Sequence, residues 1–343
     1  MGTHSSRKIS MQKIADALSI SKNSVSIALN DKPGVSQKLR EKVLQTAISM
    51  NYAGYGDLQK PVTTQTILVS GPEYVFKDLG FYHRILGGIE QQSKVCRFHV
   101  LISSISDQMQ ALGEMPAALA DLSVSGILLV GTLQERYVRA ILDLGKPTVS
   151  LDQVYDTLPL DTVVTGNTEG ARAAVRHLVA TGHTRIGYVG PRGLTSSFRD
   201  RWEGYTAALR EAGLPLEEAV CVSASFTSLA TFQSFQGLEA ELGKIERLPT
   251  AFFCANDSIA IAVMHWLADS GKRVPRDICI AGFDDMENVQ HLSPPLTTMT
   301  VHREAMGRKA IELLLGRIRD ASQPVTHVVL QADLTVREST RNN

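Results

Sequence analysis

The sequence predicts a small all-α head carrying a helix-turn-helix, followed by a larger α/β body of two lobes with parallel sheets. Three observations predict it. Apolar residues recur at helical spacing through residues 10–50. Short β-rich runs alternate with amphipathic helical stretches from about residue 66 onward. The basic charge is concentrated ahead of that change: residues 1–60 carry nine Lys/Arg against four acids, so a formally neutral chain divides into a head of +5 and a remainder of −5. A basic head on an acidic body points to a polyanionic partner for the head alone.

Composition bounds the rest. The 343 residues are 43% hydrophobic and 20% charged, enough to bury a sizeable core and too apolar for bulk disorder. No stretch approaches the ~18 continuous apolar residues of a membrane span, and Met1–Ser10 has no apolar segment of the secretory type. The four cysteines, Cys96, Cys221, Cys254 and Cys279, are far apart and form no CxxC pair. That argues against a disulfide frame or zinc cluster and fits a reducing cytoplasm.

In the head, Ser10 is placed to cap a first helix whose apolar residues are Met11, Ile14, Ala15 and Leu18. The tight turn Ser19-Ile20-Ser21 follows, with Ser21 placed to cap a second helix from Lys22 to Leu29. Asp31-Lys32-Pro33-Gly34 reads as a loop. Ser36 then opens a third helix with Leu39, Val43, Ala47, Ile48 and Met50 inward. On a wheel of about 100° per residue, Val25, Ala28 and Leu29 gather on one side of the second helix. Lys22, Asn23, Ser26 and Asn30 gather on the other, with Ile27 just beyond. Lysine donates to guanine O6 or N7 and asparagine pairs with an adenine edge, so this face has groove-reading chemistry.

In the body, candidate strands are Thr66–Val69, Phe98–Ile102, Gly126–Val130, Thr148–Leu151, Thr162–Val164, Ile186–Val189, Ala251–Cys254 and Ile278–Ala281. Gly170–Ala180, Asp200–Glu211 and Ser258–Ser270 are helical stretches between them. About ten strands over some 270 residues divide better into two lobes than into one sheet, with a ligand cleft beyond the carboxyl ends of the strands. Polar residues gather there: Asp152, Asn256-Asp257 and Asp284-Asp285 follow apolar runs, and Arg201 opens a helical stretch. Carboxylates, an amide and a guanidinium converging on a cleft suit vicinal hydroxyls, each of which both donates and accepts. An aromatic from Phe81, Tyr82 or Phe226 would cover an apolar sugar face. Asp257 is expected to cap its helix, and Asp285 to stand either at the ligand or behind it at a hinge. Trp202 and Tyr205 are expected in the core. His83, His177, His183 and His265 lack partners at metal spacing, and no metal or cofactor is expected.

The residues Ile20-Ser21-Lys22-Asn23-Ser24-Val25-Ser26-Ile27-Ala28-Leu29-Asn30, Val35-Ser36, Arg40-Glu41-Lys42-Val43 and Asn51-Tyr52 together resemble the lactose/galactose repressor (LacI/GalR) family of bacterial transcription regulators. Body segments are similar to it as well: Arg199-Asp200-Arg201-Trp202-Glu203-Gly204-Tyr205, Ala255-Asn256-Asp257, Gly282-Phe283-Asp284-Asp285 and Pro294-Pro295-Leu296-Thr297-Thr298. The resemblance implies DNA contacts from Ser10, Gln12, Ser21, Lys22, Asn23, Ser24, Ser26, Ile27 and Asn30, and a minor-groove wedge at Leu58 or Pro61. It implies an effector site of Asp152, Arg201, Asn256 and Asp284, to which Phe81, Tyr82 or Phe226 would add the aromatic face. Ile27 stands where the family usually has arginine, and Ser19 where it commonly has a turn glycine. The lip Leu79-Gly80-Phe81-Tyr82-His83-Arg84 departs from the commoner N-P-F-F pattern, which leaves the ligand open.

The implied fold is a periplasmic-binding-protein-like pair of lobes with three crossovers, near residues 165, 301 and 323. The head would span 8–52, a linker 53–65, the first lobe 66–164 plus 302–322, and the second lobe 165–300 plus 323–340. The implied function is that of a homodimeric regulator, a repressor, which binds a pseudo-palindromic double-stranded DNA operator and is gated by a small molecule, most simply a sugar. A purine or nucleoside corepressor is the alternative, and a solute-binding protein a remoter one. No GxGxxG turn, P-loop, HExxH or GxSxG elbow supports an enzyme.

Overall fold

A computed structural model describes residues 10–29, 34–50, 52, 65–78, 80–121, 124–223, 225–226, 235 and 237–341. The chain forms two compact units, 1–65 and 66–343.

The head contains α1 (Met11–Leu18), α2 (Lys22–Leu29) and α3 (Gln37–Ser49). Ile14, Ala15, Val25, Ala28, Val43 and Ala47 form its buried centre, each supplied by helical periodicity. Ser19 closes α1 in the left-handed region at φ 54, the backbone that a glycine adopts without cost. Ser21 caps α2, its Oγ accepting from the Ser24 amide at 3.0 Å, and Ser36 Oγ accepts from the Leu39 amide at 3.2 Å. Ser10 differs from expectation: it occupies the N-cap position of α1, but its side chain makes no capping bond and its carbonyl takes the Lys13 amide.

The body contains three sheets among the described residues. The first is parallel, in the order β11-β5-β4-β3-β1-β2, from β1 (Thr66–Pro72), β2 (His99–Ile105), β3 (Val124–Val130), β4 (Thr148–Leu151), β5 (Asp161–Thr165) and β11 (His327–Leu330). The second, also parallel, runs β7-β6-β8-β9, from β6 (Ile186–Val189), β7 (Cys221–Val222), β8 (Ala251–Cys254) and β9 (Cys279–Ala281). β10 (Thr298–Thr300) and β12 (Asp333–Thr335) pair antiparallel. On β1, Ile67 and Val69 face one apolar cluster and Leu68 the other, so helices cover both faces and the strand reads as a continuous apolar run.

β11 corrects the expected lobe boundary. It pairs with β5 of the first lobe, His327 opposite Thr162 through Leu330 opposite Thr165, so the chain leaves that lobe at residues 331–332 rather than near 323. The long helix Arg303–Arg319 lies in the first lobe against Phe81–Val95. Two glycines make that crossing: a Cβ on Gly88 would strike the Glu304 carbonyl, and one on Gly307 the Ile85 carbonyl. At its carboxyl end Arg317 grips the Asp161 carboxylate bidentately, at 2.8 and 2.9 Å.

Candidate functional site

A cavity of about 730 Å³ opens at the carboxyl ends of the strands of both lobes, a size suited to a small-molecule ligand. Residues after β1, β2, β3 and β4 line one side, and residues after β6, β8 and β9 the other.

From the first lobe, Phe81 and Tyr82 open the Phe81–Val95 helix. Asp78 fixes that helix start, its carboxylate accepting from the amides of Gly80, Phe81 and Tyr82 at 2.7, 3.1 and 3.0 Å. The Tyr82 hydroxyl then donates to Asp152 Oδ2 at 2.9 Å. Asp152 turns sharply off β4, with φ 72. Its enclosure raises the carboxyl to about 6, against the opposing pull of Tyr82 and Arg201. The same enclosure, with the charge of Asp152, raises the Tyr82 hydroxyl well above its ordinary range.

From the second lobe comes Arg201, on the helix Ser196–Glu211 and only 4% exposed. It donates from Nε to Asn167 Oδ1 at 2.9 Å and from Nη1 to the Ala255 carbonyl at 2.7 Å. Its Nη2 lies 3.0 Å from Asp284 Oδ1, a charge contact whose alignment is poorer than that of a full hydrogen bond. The guanidinium also sits 3.8 Å from the centre of the Phe283 ring. Asp284 has φ 112 and a carboxyl raised by burial, with Arg201 pulling the other way.

Thus Phe81, Tyr82, Asp152, Arg201, Asn256 and Asp284 line one cavity. Phe226 does not: it is buried within the second lobe, and the aromatics facing the cavity from that lobe are Phe198 and Phe235. Asn256, rather than Asp257, caps the Asp257–Asp269 helix, its Oδ1 accepting from the Ile259 amide at 2.9 Å. That leaves the amide nitrogen as its offering to a ligand. Asp257 is fully buried and takes the Met286 amide at 2.8 Å and the Thr298 hydroxyl at 2.5 Å, which orders the turn bearing Asp284. Asp285 faces away from the cavity toward the crossing strands, accepting from Arg337 at 2.7 Å and Thr300 at 2.9 Å. Tyr205 is fully buried and packs with Tyr188 and Trp202, outside the cavity lining. Sequence reasoning missed Tyr74 and Asp78, in and just after the short helix Glu73–Lys77, and Phe198, in the first turn of the helix Ser196–Glu211; no pattern in the sequence points these positions at the cavity. Among the described residues no His/Cys/Asp/Glu cluster has metal-binding geometry.

In the head, Gln12, Lys22 and Asn23 are exposed, whereas Ser26 and Ile27 are half-buried. The Ser21 and Ser24 hydroxyls lie 2.8 Å apart and bond one another. Asn30, Leu58 and Pro61 lie outside the described residues.

A helix-turn-helix head and a two-lobed body with a ligand cleft at its strand ends define a ligand-responsive DNA-binding regulator. Residues 175–340 match the periplasmic binding protein-like domain family. The chain is 27% identical to a ribose operon repressor of Haemophilus influenzae, over 96% of this chain and 98% of that protein. It is 26% identical to the HTH-type transcriptional repressor PurR of Vibrio campbellii, with the same coverage. Its fold is similar to that of the transcriptional regulator CelR in complex with cellobiose (TM-score 0.71, 26% identity, 96% of this chain and 99% of that one). It is similar also to the lac repressor dimer bound to operator and the anti-inducer ONPF (TM-score 0.68, 25% identity, 97% and 99%). In sequence and in fold the chain is thus similar to transcription regulators of the LacI/GalR family.

Proposed function

We propose that this protein is a homodimeric, cytoplasmic transcriptional repressor whose affinity for a pseudo-palindromic operator is set by a sugar held between the two lobes. The observation that carries this is the meeting of Tyr82–Asp152 from one lobe with Arg201–Asp284 from the other in a single cavity. A ligand bridging the two pairs binds the closed arrangement of lobes better than the open one and so shifts their populations. Such coupling is typically about 1–3 kcal/mol.

The proposed division of the chain follows the sheets: head 8–52, linker 53–65, first lobe 66–165 with 302–330, and second lobe 166–300 with 333–340. Lys22 and Asn23, exposed at the start of α2, are the proposed base readers, with Gln12, Ser26 and Ile27 beside them. Leu58 is the proposed minor-groove wedge. The carboxylates bind rather than catalyse, because Asp152 is tied to Tyr82 and Asp284 faces Arg201. A purine-type ligand is a second reading, favoured by Phe81 and Phe198 in the lining, whose faces would stack on a base.

The test is selection of bound sites from random duplexes, repeated with sugars and with nucleobases. A pseudo-palindromic site whose occupancy changes with a sugar supports the proposal, and a change with nucleobases alone supports the second reading. Failure to retain any duplex at low ionic strength overturns both.

A further inference from the structure

The cleft crosses the ends of four adjacent first-lobe strands, in the order β4, β3, β1, β2. Each contributes to the lining: Asp152 after β4, Thr132 after β3, Tyr74 and Lys77 after β1, and Asp107 after β2. Three strand spacings of about 4.8 Å make this floor roughly 14 Å long. A hexose built from bonds of about 1.5 Å is roughly 6–7 Å across, so one ring fills about half of it.

The two halves differ in chemistry. The inner half holds the enclosed groups Tyr82, Asp152, Arg201 and Asp284. The outer half has its own hydrogen-bonding groups, all exposed: Asp107, and Lys77 paired with Glu73 at 2.6 Å. Tyr74 stands between them, its ring 5.9 Å from that of Tyr82, so aromatic surface continues from one half to the other. We propose that the cleft takes an oligosaccharide of at least two units, one ring at Asp152–Arg201–Asp284 and the next over Tyr74 toward Lys77 and Asp107. The outer charges are of both signs, with acids in excess, which suits a neutral polyol and disfavours a phosphate. This inference rests on the sugar-gated reading of the same cavity.

Calorimetric titration of the full-length protein with glucose, galactose and xylose, and with their α- and β-linked di- and trisaccharides, tests it. The expected result is a disaccharide at least about tenfold tighter than its own monosaccharides. Asp107→Ala and Lys77→Ala, both at exposed positions, should weaken that disaccharide several-fold and leave monosaccharide affinity unchanged. A monosaccharide as tight as its longer homologues overturns the inference and leaves sugar gating standing. So do rim variants with unchanged oligosaccharide affinity, or with equal losses for short and long ligands. Absence of binding by every saccharide overturns the sugar reading and the inference together.

Discussion

Arg201 engages all three of its guanidinium nitrogens, with Asn167, the Ala255 carbonyl and Asp284, so its loss leaves a buried acid and a buried carbonyl without their partner. Arg201→Ala should therefore abolish effector binding and also destabilise the body by about 3–5 kcal/mol in denaturant titrations. Stability within about 1 kcal/mol of the wild type would contradict this keystone role. Asp152 makes a pH-dependent prediction. An unfolded aspartate gives up its proton near about pH 4, whereas this one does so at about 6, so the folded state holds more protons between those limits. The contribution of this group to stability consequently falls as pH rises from about 4 to 6. A ligand hydroxyl donating to Asp152 needs the ionised form, so effector affinity should drop below pH 6, and Asp152→Asn should remove that inflection from a titration series. Asp152, Arg201, Asn256 and Asp284 were legible because a polar residue directly after an apolar run, or at the start of a helix, has one plausible destination in an α/β fold. Phe226 was misread because an aromatic in an irregular connection faces core or cleft according to loop geometry that no spacing encodes.

Strands buried on both faces were legible as elements, since β1, β3 and β8 are built around short apolar runs, Ile67–Val69, Ile127–Val130 and Ala251–Cys254. β11 was not: an edge strand alternating between exposed and half-buried residues looks like polar tail sequence. β10 and β12, three residues each, are too short to show a period. The crossing of Phe81–Val95 with Arg303–Arg319 depends on the missing side chains of Gly88 and Gly307. Gly307→Ala gains up to about 1 kcal/mol of helix propensity but must push the helices apart, an overpacking cost of about 1–3 kcal/mol. A lower melting temperature is expected for each single alanine variant, and an unchanged or raised one would show that the crossing has slack. Asp161→Ala removes the carboxylate partner of Arg317, leaving it the carbonyls of Ala321, Gln323 and Pro324, and frees the turn leading to β11, for an expected loss of about 1–3 kcal/mol by chemical denaturation.

For the whole molecule, the division into two compact units predicts that removing residues 1–65 leaves a folded body that binds effector and ignores duplex. Calorimetry on the truncated protein checks this, and loss of ligand binding would refute the separation of roles. The +5 head predicts operator affinity that falls steeply with salt. Lys22→Ala and Asn23→Ala should reduce the preference for operator over random duplex; equal losses on both would argue against base readout. Two lobes and a head were legible because periodicity and charge change together near residue 60. The last crossover was not, because its position depends on pairing across some 160 residues, which local pattern does not report.

A ribosome completes β5 long before it reaches β11, so throughout most of synthesis the first lobe presents an unfinished hydrogen-bonding edge that only the final stretch of chain covers. A transcript ending between codons 320 and 326 would encode every helix of the head and the helix Arg303–Arg319, yet release a body lacking its closing strand. Such polypeptides should sediment as aggregates instead of competing with intact subunits for chromosomal sites, which fractionation of expressing cells would reveal.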